Sequence, residues 1–179
     1  MVRDDGAVVY INGYEVWRDN MPTGVIDYDT EAPTYASPEN GIYSTTISPM
    51  ALQNGNNTIA IEIHQNSPTS SDVSFDFKLT ANSVNNGPEF ISKNSLWRYL
   101  DDGSNQGTAW RTTAFNDDSW DLGQGDLGFG NSNVTTINDA GGSGGVTYYF
   151  RNSFIVSDPS LYANPVSYTH LRAHETTSH

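Results

Sequence analysis

The chain contains no cysteine, so neither a disulfide framework nor a thiolate metal site is available to it. Basic residues are scarce: 8 Lys and Arg stand against 21 Asp and Glu, for a net charge of −13. That balance does not suit a nucleic-acid or anionic-membrane partner, whose phosphates demand cationic surface. No apolar run approaches the roughly 20 residues that cross a bilayer. Met1 runs directly into a charged turn rather than a signal peptide, so an exported parent is expected to carry its signal upstream. The Ala, Leu, Glu and Lys vocabulary of helices is sparse, and only 16% of the 179 residues are charged. What is plentiful is Gly, Asn, Ser, Thr and aromatic side chains, the composition of short strands joined by long polar loops.

The clearest local signal is near the start. Asp4-Asp5-Gly6 leads into Ala7-Val8-Val9-Tyr10-Ile11, and Asn12-Gly13 turns the chain into Tyr14-Glu15-Val16-Trp17. Asn-Gly between two β-rich segments predicts a hairpin, because a type I′ turn needs positive φ at both central residues. Three prolines within 22–38 predict loop there, with a short strand at Val25–Tyr28. Ile42–Ile47 reads as a strand. Thr58–His64 alternates, with Ile59, Ile61 and Ile63 facing inward and Glu62 and His64 on the polar face. Val73–Leu79 repeats the pattern, with Ser74, Asp76 and Lys78 expected outward. Residues 81–93 are turn-rich and read as a linker. Beyond it, Trp97–Leu100 is a strand, Asp121–Gly145 is Gly-rich and expected to be irregular, and Thr147–Val156 is a long strand. The pattern predicts an all-β fold, an antiparallel β-sandwich with one wet face per sheet.

The last stretch, Val166-Ser167-Tyr168-Thr169-His170-Leu171-Arg172-Ala173-His174-Glu175-Thr176, resembles the conceptual translation of a sequencing-library adapter. Residues 166–179 are therefore set aside as a non-native tail, and a tempting His170/His174/His179 metal set goes with them. His64 is the one histidine outside it.

Two blocks resemble a known module. Asp4–Gly13 through Arg18-Asp19-Asn20-Met21-Pro22, Ile61–Gln65 and Ser70–Phe75 is similar to the C-terminal half of a galactose-binding-domain-like jelly roll. Trp97–Gly103, Phe115–Trp120, Leu127–Gly130 and Tyr148–Arg151 is similar to the N-terminal half. Such modules recur in tandem in large bacterial secreted or surface proteins. The resemblance implies an out-of-phase fragment: residues 1–80 from one copy, a linker at 81–93, and residues 94–165 from the next. The halves then either lie side by side with open sheet edges or close on each other as a circular permutant.

Candidate sites follow. Asp4 and Asp5 place two carboxylates at a strand mouth and are candidate calcium ligands, against a turn in which they cap backbone amides. Trp17, with Arg18 and Asn20, offers a flat apolar face beside polar donors, which suits a sugar ring; the alternative is Trp17 packed beneath the 22–41 loop. His64 is a fourth ligand-contact candidate. No His-Glu-x-x-His or phosphate loop occurs, and no catalytic residue is assigned. The expectation is a non-catalytic extracellular module that binds a glycan, or that spaces and displays neighbouring domains of the same polypeptide. The alternative is an accessory fragment of a secreted hydrolase whose catalytic domain lies elsewhere.

Overall fold

A computed structural model of the chain describes residues 1–38, 41–82, 87–140 and 145–162, together with the backbone of 164–167. The strands of the first half are β1 (Val2–Arg3), β2 (Gly6–Ile11), β3 (Tyr14–Asp19), β4 (Thr45–Thr46), β5 (Gly55–His64), β6 (Val73–Asp76) and β7 (Leu79–Asn82). Those of the second are β8 (Glu89–Ile91), β9 (Leu96–Leu100), β10 (Asp121–Gln124), β11 (Leu127–Phe129), β12 (Thr135–Thr136), β13 (Thr147–Val156) and β14 (Asn164–Ser167). The helical pieces are single 3₁₀ turns, among them Pro49–Ala51 and Ala109–Arg111. The fold is an all-β sandwich.

Asn12 and Gly13 have φ of 53° and 88°, the pair of positive angles a type I′ turn requires. The Asn12 side chain then ties the hairpin tip to β5, accepting from the Thr58 amide at 3.0 Å and donating to Asn57 Oδ1 at 2.8 Å. One sheet is ordered β10-β9-β13-β5-β2-β3. Its centre is the antiparallel ladder of β5 on β13, which runs from Gly55↔Val156 to His64↔Thr147. Three strands from the second half (β10, β9, β13) continue through β13–β5 into three from the first (β5, β2, β3), so the halves close on each other and the side-by-side arrangement does not form.

Ile59, Ile61 and Ile63 of β5 and Phe150 of β13 face a second layer, made by the β1-β6-β11-β12 and β4-β14-β7-β8 sheets. Phe75 stacks on Phe150 at 4.0 Å and meets the edge of Trp97 at 5.0 Å. Each such fully buried side chain contributes about 2–3 kcal/mol.

Several expectations need correction. Val73–Leu79 is not one strand: β6 and β7 belong to different sheets. Ser74 and Asp76 are buried rather than outward; the 92–95 turn and Gly125 lie against Asp76, and Ser74 pairs with Gly128 of β11. Asp76 Oδ1 accepts the amides of Phe77 at 2.9 Å and Asn94 at 3.2 Å. Residues 81–82 and 89–91, read as linker, are strand: 81–82 end β7 and pair with Pro165 and Asn164 of β14, and Glu89 and Ile91 of β8 pair with Thr80 and Leu79. Val25–Tyr28 is not strand; three nearby prolines leave it as loop. Within the 121–145 stretch β10, β11 and β12 form. Val166 and Ser167, assigned to the foreign tail, pair with Thr46 and Thr45 through β14; residues 168–179 lie outside the described residues.

Candidate functional site

Pleating turns Asn56, Thr58, Ala60, Glu62 and His64 of β5 away from the main core, together with Thr147, Tyr149, Arg151 and Ser153 of β13. Two loops fold over half of this outer face. They bring Ile26, Trp110 and Trp120 onto Val8, Tyr10, Ala60 and Tyr149, and a second apolar cluster results. Trp110 meets Tyr149 edge-on at 4.9 Å and Tyr10 at 5.9 Å. Arg151 anchors the covering loop: Nε donates to Asp117 Oδ2 at 2.7 Å, and Nη1 donates to the carbonyls of Trp110 and Thr112. Its guanidinium lies over Phe115, 5.2 Å from the ring centroid.

The other half of the face stays open as a groove of about 310 Å³. Leu96, Leu122 and Phe115 supply apolar surface there, and Asn56, Thr58, Arg98, Asp117 and Ser153 supply hydrogen-bonding groups. Leu96 and Leu122 are 57% and 52% exposed, unusual for leucines on a sheet. Arg98 Nη1 donates to the Trp120 carbonyl at 2.9 Å, while Nη2 stands 3.9 Å from Asp118 Oδ1. A fixed guanidinium beside side-chain amides and an apolar strip can grip a polar ring with both a face and an edge.

Beneath the covered half lies a buried polar cluster. Glu62, 2% exposed, accepts from the Tyr10 hydroxyl at 2.6 Å and from Arg111 Nη2 at 3.3 Å, both at Oε1. Burial first, and then the Glu62 carboxylate, pushes the Tyr10 hydroxyl far above its ordinary range. His64 is fully buried; its Nδ1 lies 2.8 Å from the Thr30 carbonyl, so that nitrogen carries the hydrogen. Its Nε2 stands 3.6 Å from Glu62 Oε2, too long for a hydrogen bond.

The four ligand-contact candidates from the sequence do not come together, and none lines the groove. A bulge between Val9 and Tyr10 lets Trp17 pair with Val9, so the indole turns to the inner face and packs, half-buried, on the main core. Arg18 is held on the opposite face by Glu15 at 2.8 Å and by the Pro22 and Gly24 carbonyls. Asn20 donates to the Asp5 carbonyl at 2.9 Å and the Thr34 carbonyl at 2.7 Å. These are loop-pinning bonds. Asp4 and Asp5 are both buried, and Asp5 accepts the Ala36 amide at 2.7 Å and the Asn66 amide at 2.9 Å. That is the capping geometry, with both carboxylate oxygens engaged by backbone. Among the described residues no group of three or more His, Asp or Glu side chains is placed to hold a metal ion. The groove residues were missed because Asn56, Leu96, Arg98 and Leu122 come from three strands far apart in sequence. The signal available was apolar leucine on the outward phase of β9 and β10.

No family model, no curated protein and no solved structure matches the chain.

Proposed function

We propose that the chain is a non-catalytic extracellular module of the galactose-binding-like kind that binds carbohydrate through the groove on the open half of its larger sheet. The observation that supports this is the pairing of exposed Leu96 and Leu122 with Arg98, Asn56 and Ser153 along one cleft. A pyranose offers an apolar face of C–H groups and a rim of hydroxyls, and the groove answers both. Glycoside hydrolysis uses a pair of carboxyl groups, and the groove lining contains one, Asp117, already bound to Arg151. Binding to polysaccharides by affinity electrophoresis or glycan array tests the reading. Wild-type protein should retain a glycan, and Arg98→Ala should weaken retention about tenfold with the fold intact. Failure to retain any glycan overturns it, and turnover of chromogenic glycosides overturns the non-enzyme part.

A second reading, a spacer contacting neighbouring domains, draws on a different surface. Tyr14 is 74% exposed and Met50 90% exposed, and with Val16 and Ala51 they border a recess of about 500 Å³ at the hairpin tip. An apolar patch of that kind marks a protein contact more often than a bare monomer surface.

A further inference from the structure

We propose that the groove on the open half of the larger sheet selects a carboxylate-bearing sugar, a uronic acid, over its neutral counterpart. This rests on the glycan reading and adds to it the charge class of the ligand.

Arg98 of β9 and Arg151 of β13 stand directly opposite each other in the ladder, and both line the groove. Like charges at opposed positions repel, so such a pair calls for anions beside it. One anion is built in. Asp117 Oδ2 accepts from Arg151 Nε at 2.7 Å, and Arg151 Nη1 is spent on the carbonyls of Trp110 and Thr112. Arg98 has no equivalent. Its Nη1 donates to the neutral carbonyl of Trp120, and its Nη2 stands 3.9 Å from Asp118 Oδ1, beyond hydrogen-bond distance. The Asp118 side chain is 84% exposed, so water competes for it and the pairing is weak. Asp121, the next carboxylate along the chain, pairs with Tyr99 and so has the phase of the opposite face. Among the described residues every other arginine has a carboxylate within 3.3 Å: Arg3 has Asp19, Arg18 has Glu15, Arg111 has Glu62 and Arg151 has Asp117. The groove lining thus sets two guanidiniums against one bound carboxylate, a local surplus of positive charge in a chain of net charge −13.

The neighbours of Arg98 select the kind of anion. Leu122 is its cross-strand partner on β10, and Leu96 precedes it by one alternation on the same face. A pyranose seated against these leucines has its rim beside the guanidinium. A carboxylate on that rim offers two oxygens to the planar fork, whereas a hydroxyl offers one acceptor and leaves the charge uncompensated. The volume of about 310 Å³ suits roughly one sugar unit, taking a water's share as about 30 Å³. A polymer charged at every unit would meet the repulsion of the acidic chain around the groove, so the favoured ligand carries its carboxylate singly or at a chain end.

The test is a titration of the full chain with methyl glucuronide and methyl galacturonide, each against its neutral methyl glycoside, followed by amide NMR shifts. Sulfated glucose separates a sulfate from a carboxylate, and acetate separates an anion from a sugar. Saturable shifts at Leu96, Arg98, Leu122 and Ser153 are expected. At least one uronide should bind about tenfold more tightly than its neutral glycoside, by a margin that shrinks as salt is raised. Arg98→Lys keeps the charge without the fork and should lose most of that margin, and Arg98→Gln should abolish it. Should those variants misfold, Asp118→Asn removes the competing carboxylate at an exposed position and should widen the margin a few-fold. Neutral glycosides that bind as well as the uronides would overturn the proposal and leave the glycan reading standing. A sulfate preferred to the carboxylate, or a margin that does not widen in Asp118→Asn, would overturn it in the same way. Acetate bound as tightly as the uronides, or no shift with any sugar, would overturn the glycan reading and this proposal with it.

Discussion

At the scale of single residues, carboxylates decide more than their exposure suggests. Asp5 is committed to two backbone amides that fix loop segments 31 and 61 residues away in sequence. Asp5→Ala leaves both amides without an acceptor and should cost about 2–3 kcal/mol, read as a fall in the urea midpoint. Calcium should not shift the wild-type melting temperature, since both Asp5 oxygens are occupied; a calcium-dependent rise would reinstate the metal reading of Asp4 and Asp5. Asp126 and Asp76 behave differently. Burial raises the carboxyl pKa of each, and the charge of Asp76 raises Asp126 further. A raised folded-state pKa means the native state holds its proton more tightly than the unfolded chain. The resulting stability is present at low pH and is lost as pH rises from about 4 through the folded value. Asp126→Asn removes the like charge at neutral pH. It should gain up to about 1 kcal/mol at pH 7, reduced by solvent screening, and gain nothing near pH 3. Equal gains at both pH values would exclude this cause.

At the scale of elements, the legible parts of the sequence were those where one local rule sufficed. Asn12-Gly13 specified its turn, the alternation of β5 its inward isoleucines, and the apolar run Thr147–Val156 the bounds of β13. Trp17 shows what local rules miss. A two-residue hairpin without a bulge would pair Trp17 with Val8 and aim it outward, but the bulge at Val9/Tyr10 pairs it with Val9 and turns it into the core. One extra residue reverses every later face assignment. The groove was invisible for another reason: it exists because β9 is laid beside β13, a long-range pairing that no local pattern encodes. Arg151 on β13 is the element-scale anchor, holding Asp117, two loop carbonyls and the Phe115 ring with a side chain that is itself 4% exposed. Arg151→Ala leaves Asp117 and those carbonyls without their donor. It should cost about 3 kcal/mol, and limited proteolysis should then cut within 105–118 before global unfolding. A loss below about 1 kcal/mol, or unchanged proteolysis, would show that the loop is held by Trp110 and Trp120 alone.

At the scale of the whole molecule, the question is whether two sequence halves make one cooperative unit. The main core draws Ile61 and Phe75 from the first half and Trp97 and Phe150 from the second. The outer cluster likewise joins Val8, Tyr10 and Ala60 to Trp110, Trp120 and Tyr149. Neither half could bury its apolar face alone, because β5 would lose β13 and β13 would lose β5, leaving an open edge on each. Unfolding should therefore be a single transition. Trp17 and Trp97 report from opposite halves, so Trp17→Phe and Trp97→Phe proteins should each show coincident midpoints by fluorescence and far-UV dichroism. A protease site inserted between residues 84 and 85 gives the sharper comparison. Cleaved protein should elute as one species of intact size in native buffer, and its fragments should separate only in denaturant. Covalent continuity then contributes chain entropy alone, so the cleaved form should unfold at lower denaturant and with a concentration-dependent midpoint. Fragments that part in native buffer, or two resolved transitions in the uncut chain, would mean that the halves are independent modules and that the β5–β13 ladder does not govern stability.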